Sequence, residues 1–113
     1  MKHDVKKISK ILDEIITFAF LHGTDKMNIS IENQEKLYKI HIEADNLDCT
    51  DRRVQQLNQL LATPRQPEIE EYYWELTGEC DSDTELCLVG IMVDKAEVNF
   101  NGNALTITLY RYK

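Results

Sequence analysis

The sequence predicts an α+β protein, a two-layer α/β sandwich with helices packed on one face of a mixed, mostly antiparallel sheet. Three observations lead to this fold class: an amphipathic helix at the start, two strand pairs with turns, and helical patterns between the pairs. Because strands and helices occur in separate runs along the chain, we expect the helices to form one layer and the strands the other. Residues 1–113 contain no linker, and we expect a single domain.

The first predicted helix spans Val5 to His22 and organises the rest of the chain. Apolar residues recur in it at steps of three and four, which places them on one face. Gly23 follows where a left-handed cap is needed, a conformation that glycine adopts without a clash. The apolar stripe, which Phe18 widens, consists of Val5, Ile8, Ile11, Leu12, Ile15, Ile16, Ala19 and Phe20.

Two hairpins are predicted to form the sheet. In the first, residues 27–31 and 38–44 alternate apolar and polar side chains around a polar turn at 33–36. In the second, Asn101 and Gly102 form a two-residue turn, because both residues tolerate a positive φ. The strands beside that turn carry Val98, Phe100, Leu105, Ile107 and Leu109.

Helical patterns fill the stretch between the hairpins. One begins at an N-cap, Thr50 or Asp51, and a second spans residues 68–77 after a proline-containing break at 63–67. A third runs on to Ala96. Their apolar residues are Val54, Leu57, Leu60, Leu61, Ile69, Tyr72, Tyr73, Leu76, Leu86, Val89, Val93 and Ala96.

The charge balance argues against one class of partner. The chain carries 20 acidic and 13 basic residues, a net charge of −7, whereas a phosphate backbone needs a basic surface. No apolar run approaches the roughly 18 residues of a membrane span. We therefore expect no nucleic-acid partner, no membrane association and a cytoplasmic location.

The three cysteines, Cys49, Cys80 and Cys87, lack the close paired spacing of a metal site. Their odd number suits reduced thiols, and we expect buried, inert side chains. A catalytic or redox thiol with a histidine base is the alternative. The candidate histidines are His3, His22 and His41.

Three stretches carry a resemblance to a known family. The first helix contains Glu14, Phe18 and the pair His22-Gly23. With the element order, this pattern resembles the ATPase domain that histidine kinases, gyrase-type ATPases and serine-kinase anti-sigma factors share, over roughly residues 8–112. In that family a magnesium-binding Asn stands four residues after the Glu, and here that position is Phe18. Magnesium requires hard oxygen ligands, which a phenyl ring does not provide.

The other two stretches match the nucleotide motifs of the same family only in part. Asp45 stands where the family has the Asp that accepts a hydrogen bond from adenine, but the following glycine positions are Leu47 and Cys49. The third motif is Gly-x-Gly-Leu at a helix N-terminus, and here Glu85 and Cys87 replace its phosphate-cradling glycines. Glu85 also adds negative charge where a triphosphate would lie.

The resemblance implies a histidine-kinase-like ATPase fold, of the anti-sigma factor type, whose nucleotide pocket persists only as a remnant. We interpret Glu14, the one candidate catalytic residue, as a solvated or capped helix carboxylate, and Asp45 as a turn former. No metal site and no cofactor are expected. The remnant positions are Glu14, Phe18, Asp45, Leu47, Glu85 and Cys87.

The function that this resemblance implies is a non-catalytic, pseudo-ATPase regulatory or protein-interaction domain. Its partner would be a protein, such as a sigma-factor-type regulator, or a second copy in a homodimer. The alternative is a divergent ATP-binding serine kinase, which would need ATP and magnesium. A third hypothesis is a small-molecule binder that uses the old nucleotide pocket, with Asp45 at its base.

Overall fold

The computed structural model describes residues 4–61, 89–90 and 92–113, and in these residues two helices and a four-stranded antiparallel sheet form an α+β fold. This confirms the predicted fold class. Neither of these helices is long and apolar enough to cross a membrane. In chain order the elements are α1 (Asp4–Leu21), β1 (Lys26–Asn33), β2 (Leu37–Asp45), α2 (Asp51–Leu61), β3 (Lys95–Asn101) and β4 (Ala104–Tyr112).

Both predicted hairpins belong to one sheet, whose strand order is β1-β2-β4-β3. The central β2–β4 ladder joins the hairpins, with Ile40 opposite Leu109 and Ile42 opposite Ile107. Side chains alternate between the two faces along each strand, so this register puts the apolar residues of β2 and β4 on one face. β1 and β3 are the two edges of the sheet that the structure describes.

The core lies between that apolar face and the helices. The polar side chains of β2 and β4 alternate with the buried ones and lie on the opposite, open face. Residues 89, 90 and 92 are helical, and Val89 and Met92 add to the core. The buried core residues are Ile8, Ile11, Ile15, Phe18, Ala19, Tyr38, Ile40, Ile42, Ala44, Leu47, Leu57, Leu61, Val89, Met92, Val93, Leu105, Ile107 and Leu109.

Helix α1 begins and ends within one residue of the predicted bounds. Gly23 follows it with a φ of 85°, which confirms the predicted left-handed cap. The predicted apolar stripe is too wide, since Val5 is 68% exposed and Phe20 is 60% exposed. The buried side of α1 is the narrower arc around Ile11 and Ile15, because only one side of a helix can face the sheet.

The helices between the hairpins agree with the prediction in part. α2 begins at an N-cap, since Thr50 Oγ1 accepts a hydrogen bond of 3.1 Å from the backbone N–H three residues later. The predicted helix at 68–77 lies outside the described residues. Ala96 lies in β3 and not in a helix, because contact with β4 begins earlier, where the N–H of Asp94 donates to the carbonyl of Tyr110 at 2.8 Å.

The turn of the second hairpin is shifted by one residue from the prediction. Asn101 is still paired, opposite Ala104, so the two loop residues are Gly102 and Asn103. Gly102 has a φ of 69°. A positive φ at the first loop position is what a type II′ turn requires, and glycine alone adopts it without a Cβ penalty.

One buried cation joins the start of α1 to the end of β4. Arg111 is 2% exposed, and its guanidinium donates to the carbonyl of Met92 at 2.6 Å and to a carboxylate oxygen of Asp4 at 3.0 Å. A buried charge is tolerated when it is paired in this way. Arg111 lies on the core face of β4, where the alternation predicts an apolar residue.

Candidate functional site

The candidate site is the end of the sheet where α1 ends, β2 ends and the β3–β4 turn lies. Two backbone hydrogen bonds hold these parts together. The N–H of Leu47 donates to the carbonyl of Asn103 at 2.8 Å, and the N–H of Asp48 donates to the carbonyl of His22 at 2.7 Å. The segment that follows β2 is therefore fixed between the end of α1 and the second hairpin turn.

Phe18, which stands at the position of the magnesium ligand in the resembled family, has no exposed surface. Its ring centroid lies 4.4 Å from that of His22. The guanidinium carbon of Arg53, from α2, lies 5.3 Å from the same Phe18 centroid. The ring thus has a cation over its face and a second ring beside it, and it provides no oxygen ligand.

Of the two predicted alternatives for Glu14, a solvated or a capped helix carboxylate, the solvated one is wrong. It is only 7% exposed, because it lies one helical turn before Phe18 on the same side of α1. Its side chain is engaged in polar interactions within the protein. Carboxylates are rarely buried without such interactions, because removing the charge from water is costly. Glu14 is therefore part of the buried structure and not a surface group.

Asp45 and Leu47 have separate structural roles at the end of β2. The carbonyl of Asp45, the last residue of the strand, accepts a hydrogen bond from Thr24 Oγ1 at 2.6 Å. Asn46 follows with a φ of 56°, so the chain turns immediately after the strand. The interpretation of Asp45 as a turn former stays a prediction. Leu47 is 3% exposed and belongs to the core. Its side chain occupies space that a glycine would leave open.

A small polar network beside this turn was not predicted. The side-chain amide of Asn46 donates to both carboxylate oxygens of Asp25, at 2.8 and 3.0 Å. Asn103 in turn donates from Nδ2 to Asn46 Oδ1 at 3.0 Å. The sequence signal was the Asn after the strand end, since Asn tolerates a positive φ better than most residues. These groups satisfy one another and fix the turn.

His22 caps the end of α1. Its Nδ1–H donates to the carbonyl of Phe18 at 2.8 Å, and because a carbonyl only accepts, the proton must be on Nδ1. This bond satisfies one of the last helix carbonyls, which have no partner within the helix. His22 therefore lies at the helix end, within one residue of the predicted bound of α1.

Cys49 is a free, half-buried thiol. Burial raises its pKa, the positive charge of Arg53 opposes this effect in part, and the carboxylate of Asp48 adds to it. A raised pKa reduces the thiolate fraction, whereas a catalytic cysteine needs a lowered pKa. This environment favours an inert thiol. Cys80 lies outside the described residues.

Two remnant positions of the phosphate motif, Glu85 and Cys87, also lie outside the described residues. Within 4–61, 89–90 and 92–113, no three His, Cys, Asp or Glu side chains are grouped as metal ligands. The described part of the site therefore consists of Glu14, Phe18, Asp45 and Leu47, three of them buried.

No family model, curated protein or solved structure matches the chain. The resemblance to the ATPase family therefore depends on the residues named above and on their arrangement at this end of the sheet.

Proposed function

We propose that this protein is a non-catalytic regulatory or protein-interaction domain, built on a histidine-kinase-like ATPase scaffold, that does not bind magnesium–ATP. Its partner is a protein, such as a sigma-factor-type regulator. Its location is the cytoplasm, where a free thiol such as Cys49 stays reduced. The observation that carries the proposal is the complete burial of Phe18.

The residues at the metal position do not fit a magnesium ion. Magnesium keeps an octahedral set of oxygen ligands at short distances, and the carboxylates and amides of a protein supply them. Phe18 has no oxygen, and the guanidinium of Arg53 over its ring would repel a cation. Glu14 does offer a carboxylate, but it is buried and already engaged.

The base position is also altered. In the resembled family the glycines after the motif Asp allow the backbone to approach adenine closely. In this chain the first of those positions is Leu47, whose side chain is packed in the core. Asp45 is half-buried at the strand end, where its carbonyl is bonded to Thr24. These features support a scaffold role for the motif.

Calorimetry with ATP and ADP, each with and without magnesium, tests the proposal on the wild-type protein. We expect no binding heat at millimolar nucleotide. Micromolar affinity that requires magnesium would contradict the proposal and favour the divergent serine kinase. Metal-independent binding of a purine nucleotide, lost in Asp45→Asn, would instead favour a small-molecule binder.

A gain-of-function variant sharpens this test. Phe18→Asn restores the family ligand, and combined with Glu85→Gly and Cys87→Gly it restores the phosphate motif. We expect weak magnesium-dependent ATP binding in the triple variant. Phe20→Asn is the matched control, because Phe20 is on the same helix but 60% exposed. Circular dichroism on each variant separates a failure to bind from a failure to fold.

A further inference from the structure

The helix-facing side of β1 is only partly covered by the residues that the structure describes. Ile29 pairs with Ile42 and Ile31 pairs with Ile40, so all four side chains point to the same face of the sheet. Ile42 and Ile40 are buried, at 1% and 0% exposure, but Ile29 is 39% exposed and Ile31 is 46% exposed. β1 thus extends the apolar face of the sheet beyond the helices.

One flank of α1 is apolar and partly exposed as well, since Val5 and Phe20 are exposed while the other apolar residues of this flank are half-buried. The opposite flank is covered, since Phe18 is buried there and meets Arg53 of α2, and α2 lies against β3. The flank turned away from α2 therefore faces the β1 side of the molecule. Its apolar residues fall within about 80° of one another around the helix axis. They are Val5, Leu12, Ile16 and Phe20.

The outer edge of β1 also offers backbone groups for pairing. The N–H of Gln34 donates to the carbonyl of Leu37 at 2.9 Å, which fixes the even-numbered residues as the ones bonded to β2. Met27, Ile29 and Ile31 therefore point their N–H and C=O groups outward. In the part of the chain that the structure describes, no strand lies beyond β1.

We propose that a second copy of this chain occupies the β1 edge, so that two β1 strands pair antiparallel about a two-fold axis at Ile29. The sequence of β1 is complementary to itself in this register. On the helix side, Ile29 meets its own copy and Met27 meets Ile31. On the open face, Lys26 meets Glu32, so the interface contains two ion pairs.

This register is set by the faces and by the charges. A shift that brings odd residues opposite even ones would place isoleucine side chains on the polar face of the partner. Shifts that keep the faces but move the axis to Asn28 or Ser30 separate Lys26 from Glu32. Only the axis at Ile29 combines apolar contact on one face with opposite charges on the other.

The remaining features of β1 permit this pairing. Proteins that stay monomeric protect their edge strands with devices such as proline, bulges or inward-pointing charges. β1 has none of these: its register with β2 is continuous from Lys26 to Asn33 and contains no proline. The net charge of −7 opposes self-association, so the affinity must come from the strand pairing and the apolar contact. The proposed dimer does not depend on the proposed function.

Analytical ultracentrifugation of the full chain, from low micromolar to submillimolar concentration, tests the proposal. We expect a reversible dimer. Ile29→Lys, which places two lysines face to face on the axis, is expected to raise the dimer dissociation constant by at least about a hundredfold. Asn99→Lys on the exposed face of β3 is the matched control and leaves it unchanged. A wild-type protein that stays monomeric, or a dimer that Ile29→Lys does not weaken, overturns the proposal.

A charge reversal tests the register itself. Lys26→Glu places like charges opposite each other twice per dimer and is expected to raise the dissociation constant about tenfold. Adding Glu32→Lys restores opposite charges between the copies, and the double variant returns to near the wild-type affinity. Within one chain the two residues lie at opposite ends of β1, so recovery can arise only between copies. A dimer that the single variant does not weaken, or that the double variant does not restore, contradicts the register.

Discussion

The two edges of the sheet are covered differently. Helix α2 lies against β3. The β3 side chains that face the helices are half-buried, and they are Ala96, Val98 and Phe100. On β1, Ile29 and Ile31 face the same way but remain 39% and 46% exposed. Among the described residues, the helices therefore shield three of the four strands. An apolar strand that the described part of the chain leaves partly exposed is suited to contact with another molecule.

The largest expected effect is a difference in stability between variants on the covered and the open flank of α1. Phe18→Ala removes a fully buried ring and should lower the free energy of unfolding by about 3–5 kcal/mol. Phe20→Ala, two residues away and 60% exposed, should change it by less than about 0.5 kcal/mol. Urea unfolding of both variants at the same low protein concentration measures the difference. Equal losses would mean that the two flanks are equally covered.

The contrast between Phe18 and Phe20 also shows which properties of α1 could be predicted from its sequence. The three- and four-residue spacing predicted the helix, and the cap at Gly23 was placed correctly, because both are local properties of the chain. The spacing could not distinguish buried Phe18 from exposed Phe20. Which part of a wide apolar stripe faces the core depends on where the sheet ends, and that is a tertiary property.

A second pair of variants compares β2 with β1 directly. Ile42 and Ile29 are cross-strand neighbours on the same face, 1% and 39% exposed. Ile42→Ala should cost about 2–5 kcal/mol of stability through the cavity it leaves. Ile29→Ala should cost about 1 kcal/mol, since it loses less buried area. The same urea measurement, repeated at several protein concentrations, shows whether the stability lost in Ile29→Ala increases when dimers form.

A third pair compares the turns of the two hairpins. Gly102 in the β3–β4 turn has a φ of 69° and open space around it, so Gly102→Ala costs only backbone strain, about 1–2 kcal/mol. Glu35 in the β1–β2 turn has no positive φ, because Asn46 alone does among the described non-glycine residues. Glu35→Ala should therefore change stability by less than about 0.5 kcal/mol. Thermal melts of both variants provide the comparison.

The smallest expected effect lies on the open face of the sheet. A hydrogen bond from the Tyr110 hydroxyl to the Glu97 carboxylate of β3 raises the pKa of Tyr110, and the charge of Glu32 on β1 raises it further by a smaller amount. Glu97→Gln should therefore lower the pKa of Tyr110 clearly, and Glu32→Gln only slightly. A pH titration of the ¹³Cζ signal of tyrosine-labelled protein resolves both. A larger effect from Glu32→Gln would contradict this order.

The sequence predicted which positions belong to the candidate site, but it did not predict the burial and the partners of every side chain there. Phe18 and Leu47 stand at positions that are functional in the resembled family, and both are buried. The burial of Glu14 was missed, because a helical carboxylate gives no local sign of what lies over it. The same holds for Arg111, whose partners Asp4 and Met92 are distant in sequence. The burial of such charged residues depends on tertiary contacts, which the local sequence does not reveal.

The strand order has a consequence for how the chain folds. Each hairpin closes over a short turn, and such units form within microseconds. The β2–β4 ladder is different, since Ile40 and Leu109 are about seventy residues apart and loop closure over that distance costs entropy before any contact compensates for it. The docking of the two preformed hairpins is therefore expected to limit the folding rate. Until that step is complete, four strand edges are open to other chains instead of two.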